Sequence, residues 1–296
     1  MSTTLVNWAA TFQCTPERYC EPTSTAEVQE LVRRVQRAGG VLRVIGAGHS
    51  PNDSAMCSGP GSTVLSLARM GAITSVDAAS GLVTCGGGAT LHALNAALHA
   101  AGLALPVLGS ISDQTIAGAI ATGTHGTGLQ HGALATSIVG MELVTGAGEV
   151  LQPTGEALRC ALCSLGVLGV ITQVTLRAVP AFDLRVEEGP AAWDEVLGSL
   201  AARAASAPFY RFWWIPHTER IWEWRATPVA PLQQPAGGAG GGGGAPGPPG
   251  AAPGGVQGLV LGHGRGLPRP AGAAGPGAGS ALASAAHQCP LCLPLL

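Results

Sequence analysis

Val41-Leu42-Arg43-Val44-Ile45-Gly46-Ala47-Gly48-His49-Ser50 is the stretch on which the fold of this 296-residue chain turns. Its first five residues read as a buried strand, and the glycines directly after it mark a turn at the strand's carboxyl end. Upstream, Ser24-Thr25-Ala26-Glu27 is a capping box. Val28, Leu31, Val32 and Val35 follow at i, i+3, i+4 and i+7, and Gly39-Gly40 stops the helix they predict. Helix, strand and glycine turn in that order predict an α/β or α+β unit with a ligand at the carboxyl end of the strand. Glycine at 46 and 48 would let main-chain N–H groups approach a diphosphate, because no Cβ intervenes and positive φ is accessible. An ordinary turn has the same appearance. The stretch is not a Rossmann fingerprint, since the third glycine is missing and no helix start is evident.

Residues 64–67, 73–76 and 82–85 read as short strands, and Thr90 caps a helix through Leu91, Leu94 and Leu98 that ends at Gly102. Residues 138–145 and 149–151 form a hairpin about Gly146-Ala147-Gly148, and residues 169–179 make one more strand. The aromatic run 209–215 is strand-like and opens a further domain, and tryptophans at 213, 214, 222 and 224 are expected in its core, the alternative being that they stack on a cofactor. Between these elements lies a second small-residue stretch, Leu108-Gly109-Ser110-Ile111-Ser112-Asp113-Gln114-Thr115-Ile116-Ala117-Gly118-Ala119-Ile120-Ala121-Thr122-Gly123-Thr124-His125-Gly126-Thr127-Gly128. Its hydroxyls, single carboxylate and small residues would line a site where backbone lies flat against a ligand. The alternative is a small-residue helix between two loops.

Fifteen basic and seventeen acidic side chains give a net charge of −2 without a basic run, so nothing points to nucleic acid or anionic lipid. A small-molecule ligand is the expectation. Residues 1–14 hold no Lys or Arg, which argues against a secretory signal, and no stretch reaches the roughly 18 apolar residues of a membrane span. From 229 to 296 there is no aromatic or acidic residue, and Gly plus Pro fill 30 positions, which predicts a disordered, low-complexity tail. The eight cysteines are expected as free thiols. Cys160/Cys163 and Cys289/Cys292 form two C-x-x-C pairs, too far apart for the ribbon-type zinc spacing of about 15–20 residues. His92 and His99 share a helix face without a carboxylate or cysteine partner, so no metal is expected.

Through Asn7-Trp8-Ala9, Pro22-Thr23-Ser24, residues 46–53, 109–128, His131-Gly132, Gly148-Glu149-Val150 and Arg211-Phe212-Trp213-Trp214-Ile215-Pro216-His217-Thr218-Glu219, the chain resembles the aldonolactone oxidases among the vanillyl-alcohol-oxidase-type flavoproteins. The likeness spans about residues 5–219. It implies an α+β fold: a PCMH-type FAD-binding domain of two α/β subdomains over 1–180, the start of a substrate domain over 181–228, and the tail from 229. It implies FAD joined covalently to His49, with Gly46 at the cofactor and Ala47, Gly48 and Ser50 at the diphosphate. Ser110, Asp113, Thr115, Gly118, Gly123, Thr124 and Gly128 fall on the family's second FAD-contacting stretch, and Ile171 on its late adenine-side strand. His125 would lie near the flavin, the alternative being a loop histidine bonded to backbone. The implied partners are a sugar lactone and O2. The implied reaction is oxidation of an aldono-1,4-lactone such as L-gulono-1,4-lactone toward ascorbate, with release of H2O2, at the endoplasmic reticulum membrane. The family's catalytic carboxylate and arginine lie on a part of the substrate domain that has no counterpart here. The chain is therefore expected to be truncated and to turn over lactone slightly or not at all, and an FAD-binding module without catalysis is the alternative.

Overall fold

The computed structural model describes residues 3–231, and the expected tail lies outside the described residues apart from its first three positions. Two short strands, β1 (Leu5–Val6) and β2 (Gln13–Cys14), pair as an antiparallel hairpin, and β3 (Pro16–Cys20) follows. Ser24 caps α1 (Thr25–Arg37), its hydroxyl accepting from the Glu27 amide at 3.3 Å. The Glu27 carboxylate reaches back one residue further than in a standard capping box and accepts from the amide and hydroxyl of Thr23. Those hydrogen bonds hold the Glu27 carboxyl below its ordinary pKa. Val28, Leu31, Val32 and Val35 are all buried, as their spacing requires. Replacing Ser24 with Ala should cost about 1 kcal/mol, seen as a lower urea midpoint at unchanged slope.

After α1 come β4 (Val41–Ile45) and β5 (Gly59–Ser66), and the three strands form a parallel sheet in the order β3-β5-β4. Here the expectation of a buried 41–45 strand is corrected. β4 is an edge strand with Val41 52% exposed and Ile45 alone buried, while the central β5 is buried from Ser62 to Ser66.

The next elements are β6 (Ile73–Asp77), β7 (Leu82–Gly86), α2 (Leu91–Ala100), β8 (Leu103–Ala104), α3 (Ile116–Ala121), β9 (Ile138–Val144), β10 (Val150–Leu151), α4 (Gly155–Ala161), β11 (Val170–Arg177) and β12 (Val179–Pro180). Five of the strands make an antiparallel sheet, β10-β9-β11-β7-β6. Leu91, Leu94 and Leu98 of α2, Ile116 and Ile120 of α3, and Val174 and Leu176 of β11 share one core with the apolar face of α1. Helix α1 thus joins the two sheets. Its Thr25 hydroxyl donates to Glu142 on β9 at 2.7 Å, and Gln29 and Arg33 both donate to the Gly148 carbonyl at 2.8 Å.

A third sheet, β13-β15-β14, is built from β13 (Asp183–Ala192), β14 (Phe209–Trp214) and β15 (Arg220–Val229), with α5 (Trp193–Gly198) and α6 (Leu200–Ala205) between the first two. The two helices pack on one face, where Trp193 meets Trp214 and Arg203 pairs with Glu223 at 2.6 Å. Side chains alternate along a strand, so Arg211, Trp213, Trp222 and Trp224 occupy the opposite face. The Arg211 guanidinium lies 4.5 Å from the rings of both Trp213 and Trp224. Trp213 and Trp222 are exposed, at 43% and 38%. These two tryptophans are therefore not core residues, because their face of the sheet is not the one the helices cover.

Candidate functional site

The 46–50 turn leaves the carboxyl end of β4 and forms one wall of a cleft of about 930 Å³, counting its open mouth. The facing wall is α3 with its N-cap Thr115, and residues 165–171 close the far side with Ile171 of β11. Both glycine-rich stretches therefore meet at one site although about 70 residues separate them in sequence. They touch at Gly46, where an added Cβ would run into the Thr115 hydroxyl. Gly48 has φ +71°, a left-handed conformation that L side chains rarely adopt.

The two walls offer different groups. On the first, the amides of Ala47, Gly48, His49 and Ser50 have no acceptor among the described residues, while the carbonyls of Gly48 and Ser50 are taken by Trp8 and Asn7. Such a row of free amides is suited to an anion. On the second, the amides at the start of α3 are already committed: Ile116 donates to Ala89 O, Ala117 to Gly87 O, and Gly118 to the Thr115 hydroxyl. These bonds tie α3 to the turn after β7. Helix α3 presents the small groups of Ala117, Gly118, Ala121 and Thr122 to the cleft. Free amides thus line the cleft on the first stretch, whereas those at the start of α3 are bonded within the protein. On the second stretch, the alternative of a small-residue helix between loops is what forms, and that helix lines the cleft.

His49 lines the cleft with its Nδ1 buried and without a hydrogen-bond partner. Burial lowers its pKa, and the negative charge of Asp113 only partly offsets this, so the ring is neutral at neutral pH. The Trp8 ring stacks on it with centroids 5.9 Å apart and planes inclined by 27°.

Of the residues expected at the cofactor, Gly46, Ala47, Gly48, His49, Ser50, Thr115, Gly118 and Ile171 line the cleft. The others are not on its walls. Asp113, on the exposed loop before α3, acts on His49 through its charge. Ser110 is exposed on the same loop, and Thr124 accepts from Gln114 at 3.3 Å across the two ends of the helix. Gly123 follows the helix beside the Cys163 sulfur, and Gly128 approaches Pro208 ahead of β14. His125 is exposed with Nδ1 2.9 Å from its neighbour's carbonyl, Gly126 O, which is the geometry of the loop-histidine alternative. His131 stacks on Phe209, centroids 4.8 Å apart.

Sequence reading passed over Met56 and the Leu165-Gly166 corner and gave Asn7 and Gln114 no individual role, yet all of them line the cleft. It also passed over a polar knot on the third sheet. There Glu223 accepts from Arg203 at 2.6 Å, from the Tyr210 hydroxyl at 2.7 Å and from Arg225 at 3.2 Å. Burial pushes the Glu223 carboxyl up, but the hydrogen bonds from Tyr210 and Arg203 outweigh it and hold the group below its ordinary range. His92 and His99 are exposed on α2, Cys160 and Cys163 are exposed free thiols, and Cys289 and Cys292 lie outside the described residues.

Comparison with known proteins agrees with this architecture. A family described as FAD binding domain matches residues 16–153, and one described as D-arabinono-1,4-lactone oxidase matches residues 174–237. L-gulonolactone oxidase of Scyliorhinus torazame is 39% identical over 219 residues, covering 73% of this chain and 49% of that protein. D-arabinono-1,4-lactone oxidase of Saccharomyces cerevisiae is 32% identical over 235 residues, covering 77% and 44%. Among solved structures, a solvent-stable cholesterol oxidase superposes with a TM-score of 0.71 at 22% identity, over 78% of this chain and 48% of that one. The last likeness shows the fold alone, an α+β fold of the PCMH type. The chain spans about half the length of the curated relatives it matches. Two family matches in succession, with 32–39% identity to these oxidases along three quarters of its length, show that the chain carries an FAD-binding domain and is a homologue of the aldonolactone oxidases.

Proposed function

We propose that the cleft between the 46–50 turn and α3 holds FAD, joined covalently to His49, and that the enzyme built on this chain oxidises an aldono-1,4-lactone with O2 as acceptor. The observation that carries this reading is the neutral, unpartnered imidazole of His49 on the cleft wall beside a row of free amides. The amides of Ala47, Gly48, His49 and Ser50 would take the diphosphate. Gly46 and Gly118 would admit the cofactor without obstruction from a Cβ, and Ile171 would pack on its adenine side. Ser110, Asp113, Gly123, Thr124, His125 and Gly128 would act from the loops that flank α3, shaping its ends. When bound, FAD supplies the hydride acceptor for the lactone carbon that bears the 2-hydroxyl.

We read residues 1–180 as the FAD-binding domain and the β13-β15-β14 sheet as the opening of the substrate domain. The substrates that fit are L-gulono-1,4-lactone and D-arabinono-1,4-lactone, whose 2-keto products enolise to ascorbate-type compounds. Kinship with the animal oxidases supports reading the enzyme as one that works at the endoplasmic reticulum membrane. No helix among the described residues is long and apolar enough to cross a membrane.

The test is anaerobic. Yellow purified chain, mixed with either lactone, should bleach slowly, and admitting air should restore the colour with one H2O2 per flavin. Chain that stays yellow with every aldonolactone would contradict the oxidase reading while leaving FAD binding intact.

A further inference from the structure

The β1–β2 hairpin precedes the residues matched as an FAD-binding domain, which begin at 16, yet it reaches the cleft. Three of its contacts fall on three consecutive residues of the glycine turn. The Trp8 amide donates to Gly48 O at 2.8 Å, the Trp8 ring stacks on His49, and Asn7 Nδ2 donates to Ser50 O at 3.0 Å. Asn7 is only 4% exposed and all its capacity is used: Nδ2 also donates to the Thr11 hydroxyl, and Oδ1 accepts from the amides of Thr11 and Phe12 at 2.9 and 3.0 Å. Its side chain therefore has one geometry. Trp8 is the opposite case, 54% exposed, so its contact with His49 adds little to the core. Because His49 Nδ1 has no hydrogen bond to set the ring, the plane of the imidazole rests on that stack.

We propose that Asn7 and Trp8 are positioning residues for flavin attachment: Asn7 fixes the height of the turn at Ser50, and Trp8 fixes the plane of the His49 ring. The role rests on the reading of His49 as the attachment site. Attachment breaks one C–H bond of the flavin 8α-methyl group and the imidazole N–H bond and forms one C–N bond. The two protons and two electrons released would pass to O2, giving H2O2. An aromatic ring free to rotate about χ1 and χ2 spends most of its time out of line for such a bond, and a misplacement of about 1 Å alone can cost on the order of a hundredfold in rate.

The experiment uses the full 296-residue chain, made under flavin limitation and then given FAD in air. It follows total bound FAD, acid-stable FAD and the thermal midpoint. Trp8→Ala should bind FAD and keep its midpoint within a few degrees, while acid-stable flavin forms on the order of tenfold more slowly or worse. Trp8→Phe should restore most of the rate, because a ring is what the stack needs. Asn7→Asp keeps the Oδ1 acceptor and loses the donor to Ser50 O, and should also slow attachment. Wild-type rates in both Trp8→Ala and Asn7→Asp would overturn the proposal. So would parallel loss of total FAD and acid-stable FAD without rescue by Trp8→Phe, which would make the hairpin a plain structural wall. Wild-type chain that binds FAD but never forms acid-stable flavin would overturn the attachment at His49 and this role with it; His49→Ala supplies the zero for comparison.

Discussion

Chain carrying His49→Ala should bind FAD and lose all of it on acid precipitation, whereas the unsubstituted chain keeps its yellow colour in the pellet. The size of the effect follows from the chemistry, since attachment needs an unprotonated imidazole nitrogen and no other histidine lines the cleft among the described residues. His49 is suited to this because burial lowers its pKa below the ordinary 6.5, so the ring is neutral throughout the neutral range. The sign of the pH effect follows directly. Between the lowered folded value and 6.5 the unfolded chain binds more protons than the folded one, so stability rises with pH through that window. The contribution of the neutral ring is complete above 6.5 and is lost as pH falls through the folded value. Attachment rates measured between about pH 5 and 8 should be flat above 6.5 and fall only on the acid side. A rate that climbed steadily above pH 7 would show a ring still protonated there.

The second large effect is expected at Gly46→Val. A Cβ at this position meets the Thr115 hydroxyl, and that hydroxyl is also the cap acceptor for Gly118 at the start of α3. Neither partner can yield easily, because α3 is fastened to Ala89 O and Gly87 O by its first two amides. The branched side chain must therefore push β4 and α3 apart. Overpacking of this kind costs roughly 1–3 kcal/mol, and the strain falls on the joint that forms the cleft. We expect FAD affinity to drop at least about tenfold, more than the loss of stability alone predicts, measured by titration of flavin fluorescence together with urea unfolding. Wild-type affinity in a destabilised Gly46→Val chain would show that the two walls do not cooperate in binding.

Features held by local chemistry were legible in the sequence. Helix α1 carries its cap, its apolar spacing and its glycine stop within sixteen residues, and the structure reproduces each of them. The glycine turn after β4 was legible for the same reason, as was the hairpin of β9 and β10. What was missed depends on distant partners. β13 contains Gly189 and Pro190, which read as a break in a strand. It is nevertheless paired with β15 along its whole length, from Asp183 with Val229 to Ala192 with Arg220. The exposure of Trp213 and Trp222 could not be foreseen either, since alternation tells which residues share a face and not which face the helices cover.

The site divides in the same way. Its glycine and hydroxyl residues announce themselves by composition, but Asn7 acts through a bond to a residue 43 positions away and follows a strand only two residues long. The corner at Leu165 is set by α3, whose carbonyls at Ile120 and Ala121 accept from the amides of Cys163 and Leu165. Both Cys163 and Leu165 sit at positive φ, a conformation their residue types do not advertise.

Under the proposed function, the turn at 46–50 and helix α3 grip one FAD molecule together. Hydrogen exchange by mass spectrometry on the His49→Ala chain, which can be stripped of flavin and refilled, tests it directly. Adding FAD should slow exchange in peptides covering 46–50, 116–122 and 165–171 together, with no change on the exposed face of α2 at His92 and His99. Protection confined to one of the three cleft segments, or absent from 46–50, would contradict it.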